Sequence, residues 1–357
     1  MKKALKVFAL VICAIIIIIL AYVAYVFIDY YRLDDNLELT PQNASATVKE
    51  APTGEELSIT SWNIGFGAYT DEFSFFMDGG KYSRGFSEEI VSDTMDKITS
   101  DLKSFNSDFY LVQEVDVNAD RSYHINEYNI ITNPFDKMSV VYAQNYDSPF
   151  LFYPILEPHG KSEAGLVTMS NYTISSSLRR SLPIQDGFAK FLDLDRCYVI
   201  NRIPTDNGKE LVLINFHLSA YTTDPTIADN QMSMLYEDIL KEYEKGNYVI
   251  CGGDFNKDLL GTSSQIFGIS GDDYSWAKPF AYDKVPDGIT VIAPYSESEP
   301  IPSCRNADRP WNSETNFQLT VDGFIISDNV KCIKSNVRDL QFQCSDHNPV
   351  YMNFVLK

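Results

Sequence analysis

An α/β fold is predicted for this chain on three observations. Short β-branched and aromatic runs of strand length recur from Leu57 to the C-terminus. Stretches with an apolar period near 3.6 lie between such runs, giving a strand–helix–strand order. Of 357 residues, 45% are hydrophobic and 13% aromatic, enough core material for one large domain.

The first element precedes that domain. Val7 to Ile28 carries no charge; at ~1.5 Å per residue it makes a helix of about 33 Å, long enough to cross a bilayer. Lys2, Lys3 and Lys6 lie before it, and Asp29, Asp34, Asp35 and Glu38 follow. The positive-inside rule then keeps the N-terminus in the cytoplasm and puts everything after Asp29 outside. The apolar run is too long for a signal-peptide core and ends without a convincing small-x-small cleavage site, so residues 1–28 are read as a cytoplasmic stub and an uncleaved anchor, with a cleaved signal peptide as the alternative. Residues 29–56 are polar, contain Pro41, Pro52 and Gly54, and lack a sustained apolar period. They are expected to be a flexible tether ahead of a single domain at 57–357.

Within the domain, Leu57–Asn63 alternates as a strand with one buried face does. Ser87 is placed to cap a helix running to about Phe105, with Glu88 and Glu89 in its first turn and Ile90, Val91, Met95, Ile98, Leu102 and Phe105 as its apolar stripe. Phe109–Glu114 is the next strand. Residues 128–174 hold several short apolar runs, as in a meander with long loops. Residues 195–202 and 210–217 are expected to pair through a turn at Thr205–Gly208. A helix from about Ala228 to Lys245 leads to the strand Tyr248–Cys251. Residues 259–315 are irregular, and 317–327 and 350–356 are again strand-like.

Charge and cysteines narrow the function classes. The formal net charge is −20, so a basic protein that coats nucleic acid is excluded. A deep acidic site that recruits a divalent cation is compatible with that charge. Beyond Cys13, five cysteines remain, with no CxxC pair and no Cys/His metal spacing; pairing among the later ones is left open.

Polar residues recur where apolar strands finish: Asn63, Glu114, His217, Asp254 with Asn256, Asp322, and Asp346 with His347. One such residue is an ordinary turn, but so many in one chain suggest ends that converge on one pocket above a sandwich core. Asp254 and Asn256, two apart after Gly252-Gly253, are expected to project together from the strand end. Asp, Glu and Asn donors suit a hard cation such as Mg²⁺ or Mn²⁺. A histidine beside a carboxylate can take a proton from water near neutral pH.

The ordered series Ser-Trp-Asn63, Val-Gln-Glu114, Asn-Phe-His217, Gly-Gly-Asp254-Phe-Asn256, Val-Asp322-Gly-Phe and Ser-Asp346-His347-Asn-Pro resembles the endonuclease/exonuclease/phosphatase superfamily. The resemblance, nearest to its deoxyribonuclease and neutral sphingomyelinase branches, runs from about Leu57 to Leu356. It implies a four-layer α/β sandwich of two central mixed sheets flanked by helices. It further implies a Mg²⁺- or Mn²⁺-dependent phosphoesterase, with Glu114 as principal metal ligand supported by Asn63 and Asp346. His347, oriented by Asp322, would be the general base, or the proton donor. Asp254 and Asn256 would position water and phosphate, and His217 would bind the phosphate or help the leaving group. No carboxylate is assigned to orient His217.

Arg121, Lys161, Arg196, Arg305 and Asn145 are further residues that could reach a phosphate. For Arg196 an internal ion pair with Asp193 or Asp195 is an equal alternative. The Tyr and Phe residues between 69 and 86 either line a lipid or base pocket or pack within their loop. The expected substrate is a nucleic-acid or phospholipid-headgroup phosphodiester. A phosphomonoesterase acting on a soluble inositol or sugar phosphate, and a non-catalytic binding protein on the same fold, are the alternatives. The membrane enters through the N-terminal helix, and no stable protein partner is indicated.

Overall fold

Two mixed β-sheets stack face to face, each covered on its outer side by helix. The computed structural model describes the chain except residues 1, 46, 186–189, 191–194, 221–223, 271–275 and 277. The seven-stranded sheet runs, in spatial order, β1 (Leu37–Leu39), β6 (Ser176–Ser181), β7 (Cys197–Pro204), β8 (Glu210–His217), β9 (Tyr248–Asp254), β13 (Asp322–Ser327) and β10 (Ile289–Ile292). The six-stranded sheet runs β14 (Val330–Val337), β15 (Val350–Leu356), β2 (Glu56–Asn63), β3 (Phe109–Ala119), β5 (Gly160–Ser170) and β4 (Ser139–Leu151). A small pair, β11 (Cys304–Arg305) and β12 (Gln318–Leu319), sits beside them.

The near-continuous apolar runs follow from burial on both faces. Along β8, Leu211 and Leu213 enter the core between the sheets, while Val212 and Ile214 enter the layer under helix α4 (Pro225–Glu244) with Leu235 and Ile239. On the other side, Tyr110 and Val112 of β3 pack against Val91, Met95, Ile98 and Leu102 of helix α2 (Glu88–Phe105). The result is the expected helix–sheet–sheet–helix order. Ser87 caps α2 by accepting from Ile90 N, and Asn106 ends it in the left-handed conformation. Ile90 lies at the edge of the buried stripe and is partly exposed. Two short α-helices, α3 (Glu127–Thr132) and α5 (Ser263–Phe267), accompany α2 and α4 in the domain.

Gly253 is where the seven-stranded sheet needs a missing side chain. Its φ is 153°, and a Cβ there would stand 1.9 Å from the carbonyl oxygen of Phe216 on β8. Gly253→Ala is therefore expected to destabilise the protein by ~3 kcal/mol or more. A thermal midpoint unchanged from that of the wild type would contradict this.

Two expectations change, and one open point closes. The stretch 29–56 is a strap laid on the domain, not a free tether. β1 pairs antiparallel with β6, Gln42 exchanges two backbone hydrogen bonds with Val140, and Ala51 N donates to Pro204 O. Ala51 is fully buried in the inter-sheet core, so residues ahead of 57 belong to the packed structure. Residues 139–170 form one long hairpin, β4 and β5, rather than several short strands. All six cysteines are free.

The N-terminal helix α1 (Lys2–Asp29) meets the sandwich through its C-terminal end, where Tyr22, Tyr25 and Asp29 touch the β4–β5 hairpin, and Val26 is its one buried residue. Its most apolar window has a mean hydropathy of 3.2, and the helix is long and apolar enough to cross a membrane.

Candidate active site

One row of the seven-stranded sheet carries three of the expected residues. His217 closes β8 and Asp254 closes β9, paired in parallel; Asp322 opens β13, antiparallel and opposite Asp254. Neighbouring strands lie ~4.8 Å apart, so the three side chains form a ledge along the sheet end. His217 Nε2 is 3.4 Å from Asp254 Oδ2.

The six-stranded sheet supplies the facing wall. Asn63 ends β2. Glu114 lies inside β3 rather than at its end, because the strand continues to Ala119. At Glu114 φ is 57° and the pairing with β5 slips between Val112 and Val115. This bulge takes the residue out of the ladder, and its carboxylate lines the cleft. Asn63 Nδ2 spans the two sheets, donating to Glu114 Oε1 (3.2 Å) and Asp254 Oδ2 (3.3 Å). Beneath it, Gln113 Nε2 donates to Asn215 Oδ1 across the sandwich at 2.8 Å.

His347 comes from the loop before β15, with its backbone bridged to Cys304. Its Nδ1 is 2.8 Å from Asp322 Oδ2, which also accepts from Ser303 Oγ at 2.7 Å. Trp62 Nε1 donates to the His347 carbonyl, and His347 N donates to Ser345 Oγ. With Nδ1 and the backbone held, Nε2 faces the cleft, 3.8 Å from Asp254 Oδ2 and 3.6 Å from Cys304 Sγ.

Asp254 and Asn256 do meet, but by a turn rather than by strand alternation. Asn256 adopts φ 51°, and its N–H donates to Asp254 Oδ1 at 2.8 Å. Asn256 Nδ2 donates to the Leu218 carbonyl.

Burial sets the electrostatics. It pushes Asp254 up to about 7, with Asp322 adding to the rise while His347 and the Asn256 N–H oppose it. It pushes Asp346 up to about 6, with Glu114 adding and His347 and Arg305 opposing. Burial, reinforced by Arg196 and His347, holds His217 well below the ordinary imidazole range, so it is neutral near pH 7. His217 Nδ1 has no hydrogen-bond partner among the described residues. For His347 burial works downward, but the Asp322 carboxylate and its hydrogen bond outweigh it and hold the imidazole well above its usual value.

Asn63, Glu114, His217, Asp254, Asn256, Asp346 and His347 line one cleft of about 620 Å³, with Asp322 behind His347. Of the further cations, Arg305 fits a phosphate best. It is 1% exposed and lines the cleft, and its three guanidinium nitrogens have no hydrogen-bond partner among the described residues. Arg121 is committed to a two-pronged bond with Asp116 (3.0 and 2.7 Å), which removes it as a phosphate ligand. Lys161 lies outside the cleft, 3.5 Å from Asp29. Arg196 and Asn145 both line the cleft. Of the two proposed partners of Arg196, Asp195 lies 3.9 Å from Arg32, and Asp193 is outside the described residues. His159 also lines the cleft; its Nδ1 meets Ser83 O at 2.9 Å, and burial lowers it to about 4. His124 is exposed beside Asn118.

Sequence reasoning missed Ser303, Cys304 and Ser345, which hold or touch the His347–Asp322 pair. Ser303 and Cys304 lie in a stretch without periodicity, and no local pattern marks them.

The donors fit a hard divalent cation. Glu114, Asp346 and Asn63 share the cleft, and mutually repelling buried carboxylates are compensated by such an ion. Asp254, Asp322 and His347 also place ligand atoms within 4.8 Å of one another. Because Asp322 and His347 are already bonded to each other at 2.8 Å, that group is better described as a dyad facing Asp254.

A family model described as "Endonuclease/Exonuclease/phosphatase family" matches residues 60–347, which include the whole ledge, the dyad and the facing wall. The chain belongs to this family. No curated protein sequence matches it significantly. Among solved structures, an endonuclease/exonuclease/phosphatase from Beutenbergia cavernae aligns with TM-score 0.55 and 14% identity, covering 84% of this chain and 72% of the other. Truncated TDP2 from Caenorhabditis elegans aligns with TM-score 0.52 and 16% identity over 85% and 98% of the two chains. ANGEL2, a 2′,3′-cyclic phosphatase, in complex with adenosine-2′,3′-vanadate, gives 0.55 and 14% over 90% and 99%. Identities this low speak to the shared family fold alone.

Proposed function

We propose that this family member is a divalent-metal-dependent phosphodiesterase, anchored by α1 with its catalytic domain outside the cytoplasm. The observation that carries the reading is the His347–Asp322 dyad, 2.8 Å long, with Nε2 turned toward Asp254 in a cleft walled by Glu114 and Asp346.

In this reading Asp254 and Asn256 orient a water beside His347 Nε2, which takes its proton while Asp322 fixes the ring. The water oxygen bonds to phosphorus as the bond from phosphorus to the departing alcohol oxygen breaks. The electron pair stays on that oxygen, a proton is returned to it, and the products are a phosphomonoester and an alcohol. Neutral His217 offers a hydrogen bond to a phosphoryl or departing oxygen, and Arg305 neutralises a second phosphoryl oxygen. Glu114, Asp346 and Asn63 would hold Mg²⁺ or Mn²⁺, which when bound supplies positive charge beside the phosphoryl oxygens and offsets the carboxylates that lift His347. The three lysines before α1 and the acids after it support the orientation across the membrane.

Hydrolysis of bis-p-nitrophenyl phosphate by the detergent-solubilised full chain is expected to fall at least about 100-fold in EDTA and to return with excess Mg²⁺ or Mn²⁺. Full activity in the chelator would refute the metal-dependent reading. Preference for p-nitrophenyl phosphate over the diester would replace the diesterase with a monoesterase.

A further inference from the structure

Among the described residues outside α1, the tip between β4 and β5 gathers the densest run of exposed large apolar side chains. From Phe150 to Leu156 the sequence has no charge. Phe152, Tyr153, Ile155 and Leu156 are 55%, 69%, 84% and 99% exposed. Contiguous apolar exposure of this kind marks a surface that something covers.

The contacts of the tip indicate what that is. Tyr22 OH donates to the Phe150 carbonyl at 2.9 Å, and Phe150 N donates to Tyr25 OH at 3.0 Å. The Phe152 ring stands edge-on to Tyr22, with centroids 4.8 Å apart. Tyr22 lies ~10 Å along the helix from its polar end at Asp29. At that polar end Asp29 instead meets Lys161 of β5, 3.5 Å away. Helix and hairpin are thus zoned alike, charges level with charges and rings level with rings.

The same tip forms one lip of the catalytic cleft. Leu151, Phe152 and Tyr153 line it together with Phe75, Phe76 and Met77 from the 69–86 loop, where Phe76 packs 5.8 Å from Tyr153. The cleft is therefore graded, from Arg305, His217 and His347 at its polar end to aromatic and aliphatic side chains at the lip.

We propose that the Leu151–Leu156 tip is embedded in the bilayer that α1 crosses, so that the cleft opens onto the lipid surface and takes a membrane lipid by its headgroup phosphoester. The lipid substrate rests on the phosphoesterase reading above; the embedded tip does not. A zoned tip continuous with a membrane-spanning helix fits a bilayer, whose polar and apolar layers repeat that zoning. The net charge of −20 disfavours a polyanionic nucleic acid as the competing substrate.

The test uses the full chain in vesicles of equal parts phosphatidylcholine, phosphatidylethanolamine, phosphatidylglycerol and sphingomyelin. Lipid products are followed by ³¹P NMR, and bis-p-nitrophenyl phosphate is assayed in parallel. Leu156→Trp reports insertion by difference from the wild type, which already holds three tryptophans: the added emission is expected to lie to the blue and to be quenched by chain-brominated lipid. The double variant Ile155→Asp/Leu156→Asp, whose side chains lie outside the cleft lining, is expected to cut lipid hydrolysis by about tenfold or more. Its hydrolysis of the soluble diester is expected to stay within about twofold of the wild type. An unquenched Leu156→Trp overturns the embedded tip. Equal lipid hydrolysis by the double variant and the wild type overturns its role in substrate access, and faster cleavage of plasmid DNA than of any vesicle lipid overturns the lipid substrate. A wild-type chain inactive on bis-p-nitrophenyl phosphate removes the phosphoesterase reading, while the quenching result still decides the tip.

Discussion

Alanine at His347 is expected to lower kcat on bis-p-nitrophenyl phosphate by about 10³- to 10⁴-fold, the upper part of the range for a positioned acid–base group. The size follows from what the ring touches: Asp322 on one nitrogen, and Asp254 and the open cleft on the other. Asp322 keeps its bond from Ser303 when the ring is removed, so the stability cost is confined to about 1–3 kcal/mol. Asp322→Asn gives a second, separable readout. It leaves the cleft lining intact but no longer favours the ring form that presents Nε2 as an acceptor, so kcat is expected to fall with KM little changed. Glu114→Ala is expected to lose activity of the same order and to weaken the response to added Mg²⁺, because it removes a carboxylate from the wall proposed to hold the metal. Full activity in both His347→Ala and Glu114→Ala, with the fold intact by circular dichroism, would rule out this site.

What was legible in the sequence, and what was not, divides by the range of the physical signal. Helix α2 was readable almost to the residue because its stop and start are local: the Ser87 side chain caps one end and left-handed Asn106 closes the other. The β7–β8 pair was readable from its turn at Thr205–Gly208, and the convergence of polar residues on one cleft from short motifs at or near the sheet ends. The strap could not be read in this way. Its contacts run to Val140, Ser181 and Pro204, far away in sequence, and β1 has three residues, too few to show a period. A truncation at residue 54 would therefore strip an edge strand and the buried Ala51 from the domain. The Glu114 bulge was hidden for a related reason, since a slip between β3 and β5 depends on how two distant strands align. Ser303 and Arg305 lie in a stretch whose order comes from β11 pairing with β12 and from the bridge to His347, neither of which leaves a periodic trace.

Replacing Arg305 by methionine is expected to lower kcat/KM by about 10²- to 10³-fold without lowering the thermal midpoint. The two parts of this expectation have one cause. A guanidinium that is 1% exposed and whose nitrogens lack hydrogen-bond partners among the described residues has lost its hydration without regaining it from the protein. Burial accordingly pulls its pKa down, with the Asp346 carboxylate opposing. A group held at such cost contributes little to the free fold, and methionine keeps much of its length and its packing against Trp311. A bound phosphate reverses the balance, since its oxygens can fill the donor fork at short range where water is excluded. Arg305→Lys keeps the charge but not the fork, and should fall between the wild type and Arg305→Met. A merely structural arginine would behave the other way round: Arg305→Met would melt several degrees lower, and kcat/KM per folded molecule would be unchanged. The sign of the change in melting temperature, set beside the change in kcat/KM, therefore separates a phosphate ligand from a packing residue.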